Sequence, residues 1–445
     1  MNPIFKQRVC DLFGWEGTKF DSIFADKPFR AIRVNPLKAN LEVVQSGFDF
    51  PLRKTPFYKD SYYISKDFEG VGNLPLHHAG GFYVQEPSAS SVLSVVNAKP
   101  GEKILDLCAA PGGKSTGIAA ALGGEGLLWS NEYVRNRASA LLSNIERIGV
   151  TNAVVSSLSA DYLCSSLEGF FNAVVVDAPC SGEGMWRHNS QVETQWSEEY
   201  ILKCSGLQKE ILASAALAVM PGGRLIYSTC TFAKEENEYN VIWFLENHPE
   251  FTLEKIEMNF GIEGLSGNAE IDSKVRRITP ENGGEGHFVA LFKKQGEERE
   301  IDCCFAEDIS VNSKKIVSEF LNENFEKIPQ GVLFEKNNLI YLVPAAAPQI
   351  KGDILRYGLL VGEIRKNRLE PSHALFAAFG VVPKRIINLS LNDPRIYKFL
   401  KGEEIPADGE NGYTAIYVEN VPLSFGKCSA GRLTNRYPKG LRIQK

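Results

Sequence analysis

The chain has 445 residues, 49 Lys and Arg against 54 Asp and Glu, a formal net charge of −5 and a pI near 5.9. At roughly 100–200 residues per domain, that length predicts two to four domains. Hydrophobic residues at 44% and charged residues at 23% exclude wholesale disorder, and an acidic balance counts against nucleic acid if the charge is evenly spread. The longest apolar stretch, Ile211 to Met220, is about half of what spans a bilayer, and MNPIFKQRVC lacks the apolar core of a secretory signal. No membrane association is expected. Nine cysteines without CxxC spacing and six scattered histidines disfavour a disulfide framework or a zinc ribbon, so no metal is expected and a reducing cytoplasm is the natural compartment.

Along the chain, KILDL at 103–107 predicts a strand, followed by Cys108-Ala109-Ala110-Pro111-Gly112-Gly113-Lys114 and a helix beginning near Ser115. Small residues let backbone amides approach a ligand, and the helix N-terminus offers unpaired N–H groups. GLLWSNE predicts the next strand, ending in Glu132, whose carboxylate suits paired ribose hydroxyls about twenty residues past the glycines. A helical stretch covers Arg135–Arg147; Asp161 follows a weaker strand at Ala153–Ser157 and could accept from an adenine amino group. NAVVVD predicts a strand closed by Asp177, Glu198–Val219 a helix, GRLIYSTC a strand leading to Cys230, and His287–Phe292 a further strand. Alternating strands and helices over about 200 residues predict a parallel sheet with helices on both faces, in which ligands bind beyond the carboxyl ends of the strands. Pro111-Gly112-Gly113 could be a plain strand-to-helix turn. Gly113-Lys114-Ser115 also completes a Walker A ending, but that pattern requires Gly at 108, where this chain has Cys.

Charge is polarised. Residues 296–308, GEEREIDCCFAED, hold six acids and one Arg and are read as a solvated interdomain linker; a new helical pattern starts near Lys314. The last twenty residues hold six bases and no acid. Of the cysteines, Cys10, Cys164, Cys204 and Cys428 read as packing residues and Cys303-Cys304 as linker residues. Cys180, in Asp177-Ala-Pro-Cys180-Ser-Gly, and Cys230, in Tyr227-Ser-Thr-Cys230-Thr-Phe, stand among Pro, Ser, Thr and Gly at strand ends. A thiolate beside a nucleoside crevice suggests covalent chemistry on an electrophilic ring carbon. Carbon 5 of cytosine becomes nucleophilic once a thiolate adds at carbon 6, helped by a carboxyl group at N3. That chemistry needs one attacking thiol, one carboxylate and help at release, an inventory that Asp177, Cys180 and Cys230 fit.

LDLCAAPGGKS, VVVDAPCSGEG and YSTCTF resemble the signature motifs of the Sun-type RNA (cytosine-5)-methyltransferases. RVNPLK at 33–38 and YVQEPSAS at 83–90 resemble motifs ahead of the core, and RLEPSHALFAAF with GRLTNRYPKGLR is similar to the bacterial RsmF branch, which modifies 16S ribosomal RNA. The resemblance implies an α/β fold: a Rossmann-like core dependent on S-adenosylmethionine, with an N-terminal RNA-binding subdomain, a small C-terminal domain and a PUA-like domain. The boundaries expected are 1–78, 79–295, a linker at 296–312, 313–375 and 376–445. It further implies Cys230 as the attacking nucleophile, Cys180 as the group assisting release, and cofactor contacts from 108–114, Glu132, Arg137, Asp161 and Asp177. RNA contacts are expected from Arg30, Arg33, Lys38 and Arg187, and from Arg432, Arg436, Lys439 and Arg442 in the basic tail, with ribosomal RNA or the 30S subunit as partner to a monomeric enzyme. Two departures stand out: His188-Asn189-Ser190 replaces a basic-acidic-proline run, and Pro280-Glu281 stands where many relatives carry Pro-His. A non-catalytic RNA-binding or ribosome-assembly factor on the same fold is the alternative from another class.

Overall fold

The computed structural model describes residues 2–188, 190–297, 301 and 303–443. An N-terminal helical pair, Pro3–Phe13 and Gly17–Ala25, leads into a four-stranded sheet of β1 (Ala31–Val34), β2 (Arg53–Lys54), β3 (Ser61–Tyr63) and β4 (Phe82–Gln85), ordered β2-β3-β1-β4. The central sheet follows: β5 (Lys103–Asp106), β6 (Leu127–Asn131), β7 (Ala153–Ser156), β8 (Phe171–Asp177), β9 (Val219–Thr229), β10 (Phe251–Glu254), β11 (Arg276–Ile278) and β12 (His287–Lys294). Its order is β10-β12-β9-β8-β5-β6-β7, with β11 beside β12 and the later strand Ile354–Tyr357 beside β7.

Strands β5 to β9 are parallel, and the chain direction across the sheet reverses between β5 and β8, which makes that gap the topological switch point. Both faces are covered, which is why these strands read as continuous apolar runs rather than alternating ones. On one face Val92, Leu93, Ile118, Leu141 and Ile145 pack against Ile104, Leu128 and Val155. On the other, Leu163, Leu212, Ala215 and Phe244 pack against Leu105, Trp129 and Val174. The helix Arg135–Ile148 buries Ala138, Leu141, Ile145 and Ile148, the three-and-four spacing of an amphipathic helix, and ends at Gly149 with φ 85°. The expected doubly wound α/β core is present.

Three expectations about domain limits need correction. β4 pairs with β1, so the N-terminal sheet extends past residue 78. Ile354–Tyr357, expected inside a separate small domain, pairs antiparallel with β7 and closes that edge of the central sheet. The segment 296–312 is not a free solvated linker: Phe305 is buried with its ring 5.2 Å from Phe334 and 5.5 Å from Tyr357, and its N–H donates to Ala345 O at 2.9 Å. Glu298, Arg299, Glu300 and Asp302 of that stretch lie outside the described residues. An isolated acidic run looks solvated in sequence, but one large aromatic within it anchors the chain. The C-terminal five-stranded sheet shares a hydrophobic cluster with the N-terminal one, joining Ile32, Phe48 and Phe82 to Leu389, Phe399 and Val418.

A free linker would tolerate Phe305→Ala. Because this ring fills the core beside the central sheet, the substitution should cost about 3–5 kcal/mol in urea unfolding; an unchanged midpoint would return the segment to linker status.

Candidate active site

The polar residues of the parallel strands gather at their carboxyl ends. Asp106 closes β5, Glu132 follows β6, Asp177 closes β8, and Cys230 follows β9. After β5 the chain turns through Cys108–Gly112 and enters the helix Gly113–Leu122. Gly112 adopts φ 113°, a conformation L side chains rarely take, so the turn needs glycine there. The turn aims Lys114 across the switch point, where Nζ donates to Asp177 Oδ2 at 2.6 Å; Ser228 Oγ donates to Oδ1 at 2.7 Å. Burial alone would raise the Asp177 pKa, but the Lys114 charge and these two hydrogen bonds hold it below the ordinary carboxylate value. Asp177 is therefore ionised and accepts hydrogen bonds. For Lys114, the loss of hydration opposes the charge and the carboxylate wins, so its pKa is raised.

Cys180 and Cys230 meet beside this pair, their Sγ atoms 3.3 Å apart. The hydrogen bond to Cys230 first, and burial second, push the Cys180 thiol well above its usual pKa. The Lys114 ammonium lies close enough for its charge to couple to Cys230. The two thiol loops are stitched together beneath the sulfurs. Ser181 and Thr231, the residues after each cysteine, share a hydroxyl contact of 2.7 Å. Buried Glu236 accepts from Ser181 N at 3.0 Å, from Ser181 Oγ and from Gln208 Nε2 at 2.7 Å. Buried Glu183 accepts from Trp196 Nε1, Thr231 Oγ1 and Phe232 N at 2.8, 2.9 and 3.0 Å. Gly184 N donates to Cys230 O at 2.9 Å, and a Cβ at Gly184 would meet Gly286 O at 2.6 Å, so no side chain fits in this closure.

Glu132 is buried; Val134 N donates to its Oε1 at 2.9 Å, and Arg137 pairs with its Oε2 at 3.3 Å while donating to Ala110 O at 3.0 Å. Asp161 lies in the first turn of Ala160–Ser166, after β7, with its side chain exposed. Sequence reasoning passed over Asp106, read as strand. Its Oδ2 accepts from Ser115 Oγ at 2.6 Å, yet its buried Oδ1 has no hydrogen-bond partner. Burial, and then the charges of Asp177 and Glu132 working against Lys114 and Ser115, raise its pKa to about 7. Also missed were Ser228, Glu183, Glu236 and His287, although a polar residue interrupting an apolar strand pattern, as in KILD or YST, is a readable signal. His287 is buried with neither ring nitrogen partnered, Nε2 lying 3.7 Å from Asp177 Oδ1. Burial first and the Lys114 charge second depress its pKa to about 3, so the ring is neutral.

Several expected RNA contacts are engaged inside the protein. Arg33 is buried and donates to Gly113 O and Thr116 Oγ1, both at 2.6 Å, and to Gln85 Oε1, which bolts the N-terminal sheet to the cofactor-turn helix. Lys38 donates to Arg147 O at 3.2 Å, and burial drives its pKa well down. Arg187 forms a buried two-pronged pair with Glu285, both bonds 2.7 Å. Arg442 donates to Tyr437 O at 3.2 Å. An Arg or Lys in an acid-free or basic stretch looks free in sequence, but here backbone carbonyls and a distant Glu claim it. Arg432, Arg436 and Lys439 are exposed, and Arg30 is half-buried. Glu281 accepts from Trp15 Nε1 at 3.0 Å and pairs with Lys19 at 2.7 Å, which ties this departure to the N-terminal helices; Asn189 lies outside the described residues.

Family comparisons divide the chain into four consecutive matches. The profile for 16S rRNA methyltransferase RsmB/F matches residues 93–293, the N-terminal domain of 16S rRNA methyltransferase RsmF residues 1–87, the RsmF first C-terminal domain 319–379 and the RsmF PUA domain 387–443. The ribosomal RNA small subunit methyltransferase F of Vibrio campbellii is 30% identical over 93% of this chain and 92% of its own length. The chain belongs to the RsmF branch of the RsmB/F methyltransferases. The Klebsiella pneumoniae relative of the same description is 29% identical over 95% of this chain and 92% of its own. Among solved structures, a methyltransferase homolog from Pyrococcus horikoshii is 26% identical with a TM-score of 0.56, covering 66% of this chain and 100% of that one. NSun6 from the same organism, solved with SFG, shares the fold at 21% identity and a TM-score of 0.58, covering 66% of this chain and 99% of that one.

S-adenosylmethionine is the cofactor of this RsmF-type core, and the residues present fit it. Three carboxylates, Asp106, Glu132 and Asp177, face Lys114 and Arg137 at one sheet end, an acidic balance suited to a ligand bearing sulfonium and ammonium charges. The unpartnered Oδ1 of Asp106 is a buried acceptor still to be matched. Among the described residues no cluster of His, Cys, Asp and Glu could hold a metal ion, and no helix is long and apolar enough to cross a membrane.

Asp106 sets a stability test for the cofactor-free protein. Its carboxyl ionises near 4 when unfolded but at about 7 when folded, so stability falls as pH rises through that interval, by on the order of 4 kcal/mol, and levels off above it. Asp106→Asn should flatten the fall in urea unfolding between pH 4 and 7. Equal pH slopes in the two proteins would mean the carboxyl ionises as it does in the unfolded chain.

Proposed function

We infer that this chain methylates carbon 5 of cytosine in small-subunit ribosomal RNA through a covalent adduct between Cys230 and carbon 6 of the base. The observation that carries the reading is the thiol pair, 3.3 Å apart at the ends of adjacent strands and flanked by the Lys114–Asp177 ion pair. Glu132 and the turn 108–114 would hold the cofactor, with Arg137 bracing the turn and Asp161 at its rim. The cofactor supplies the methyl group.

Two thiols could attack, and their surroundings differ. The Lys114 ammonium interacts with Cys230, whereas the contact with Cys230 and burial raise the pKa of Cys180, which keeps Cys180 a thiol. The family resemblance of the Ser-Thr-Cys230 motif points the same way. As the Cys230 thiolate adds to carbon 6, electron density moves toward N3. The Lys114–Asp177 pair holds the proton that N3 takes; an ionised Asp177 alone could not donate it. Carbon 5 then accepts the methyl group and gives its proton to a water molecule. The carbon 5–carbon 6 double bond re-forms as the carbon 6–sulfur bond breaks to return the Cys230 thiolate, and N3 returns its proton to the Lys114–Asp177 pair. Cys180 assists at that elimination.

The substrate would be the 30S subunit or its RNA, bound by a monomer in the cytoplasm. Phosphate contacts would come from the exposed Arg432, Arg436 and Lys439 of the C-terminal domain together with the basic face around Arg30. A paired target would leave its stack to reach the sulfurs.

Incubation with labelled S-adenosylmethionine and unmethylated 30S subunits should place label on carbon 5 of a cytosine, and label on any other atom or none would overturn the reading. Cys230→Ala should reduce turnover by at least about a thousandfold. Cys180→Ala should instead accumulate a protein–RNA adduct that survives denaturing gels; the reverse pattern would exchange the two roles.

A further inference from the structure

A second cavity opens on the N-terminal sheet, about 720 Å³ in volume and lined by Phe29, Arg30, Phe50, Arg53, Tyr63 and Lys66 among others. Its cations differ in how free they are. Lys66 pairs with Asp26 at 2.5 Å and lies over the Phe29 ring at 4.4 Å, and Arg30 donates to Phe68 O. Arg53 and Lys54, the two residues of β2, are exposed and carry no ion pair or side-chain hydrogen bond to any described residue. The one acid on the wall, Asp67, is already taken by Lys27. The cavity therefore presents two free positive charges and the half-exposed rings of Phe29, Phe50 and Tyr63.

Its wall is tied to the segment that leads into the active site. Tyr63 Oη donates to Gly283 O at 2.7 Å, and Phe29 N donates to Glu285 Oε1 at 2.7 Å. Two residues beyond Glu285 is His287, against Asp177. Even fully extended, the chain from Gly283 to His287 spans at most about 14 Å. A polynucleotide with one base at the sulfurs would pass this opening within a few nucleotides.

Cations for the backbone and rings for base faces are the combination that holds unpaired nucleic acid. A duplex keeps its base faces stacked inside and could use the charges but not the rings. We propose that this cavity is a binding subsite for an unstacked nucleotide of a single-stranded RNA segment flanking the target base, with Arg53 and Lys54 on its phosphates and Phe50 or Tyr63 against its base. The proposal rests on the RNA-methylating reading of the neighbouring site, and its test is arranged so that the two can fail separately.

The probe is a fluorescent single-stranded oligoribonucleotide of about twelve residues containing one cytosine, titrated by anisotropy against the full-length protein at several salt concentrations. Arg53→Gln combined with Lys54→Gln should weaken binding about tenfold at 0.15 M salt and reduce the slope of log K against log salt by about 1.4, the value for two phosphate contacts on a single strand. Unchanged affinity for S-adenosylmethionine in the variant shows that the neighbouring core is intact. A 4-thiouridine placed next to the cytosine should cross-link to peptides containing Phe50 or Tyr63. Unchanged affinity and slope, or an equal loss for the duplex form of the same RNA, would overturn the subsite. If the wild type methylates no RNA and the variant still loses oligonucleotide binding, the subsite stands and the methylation reading falls.

Discussion

The site is organised by one ion pair across the topological switch point. β5 and β8 are neighbours in the sheet although far apart in sequence, so the turn after β5 can send Lys114 to the carboxylate that ends β8. Without that cation, Asp177 would be a buried carboxylate beside a neutral imidazole, and burial would push it toward its protonated form. With it, Asp177 is charged, Lys114 stays charged, and the same ammonium reaches the field of Cys230. The parallel register that sets Asp177 opposite Ser228 also brings Cys180 and Cys230 together, three and two residues later.

Distant parts of the chain support this arrangement. Phe5 of the first helix stacks on Trp186 at 3.8 Å, and Trp196, Ile201 and Phe232 complete that cluster, so the N-terminal helices pack directly on the loops that carry the thiols. Arg33 fastens the N-terminal sheet to the cofactor turn, and Arg187 with Glu285 fastens the Cys180 loop to the segment before His287. These arginines are conserving geometry rather than greeting solvent. A buried cation with several acceptors is costly to strip of any one partner, which makes such ties rigid.

The strand ends and their chemistry were legible because a parallel sheet buried on both faces leaves a strong apolar signal and ejects its polar residues at one edge. Asp177, Glu132, Cys180 and Cys230 are readable for that reason. Asp106 carries the same signal at the end of KILD, whereas His287 opens its strand and nothing in GHFVALF marks it as facing a carboxylate. Free and tied cations were also indistinguishable: Arg33 in AIRV and Arg53 in PLRK both follow apolar residues in sequence, and only the fold places one against the cofactor helix and the other in the open. Phe305 shows the converse, one aromatic overriding the charge pattern of its neighbours. The net charge of −5 averages over unlike regions: Arg53 and Lys54 of the N-terminal sheet and Arg432 and Arg436 near the C-terminus are exposed, while the stretch at 296–308 is acidic.

The proposed chemistry turns on the Cys230 sulfur as the atom that bonds to the base. RNA carrying 5-fluorocytosine at the target position blocks proton loss from carbon 5 and holds the adduct on the enzyme. Digestion and mass spectrometry of that complex should find the nucleotide on the peptide containing Cys230, with Cys180 unmodified; attachment to Cys180 would contradict the account.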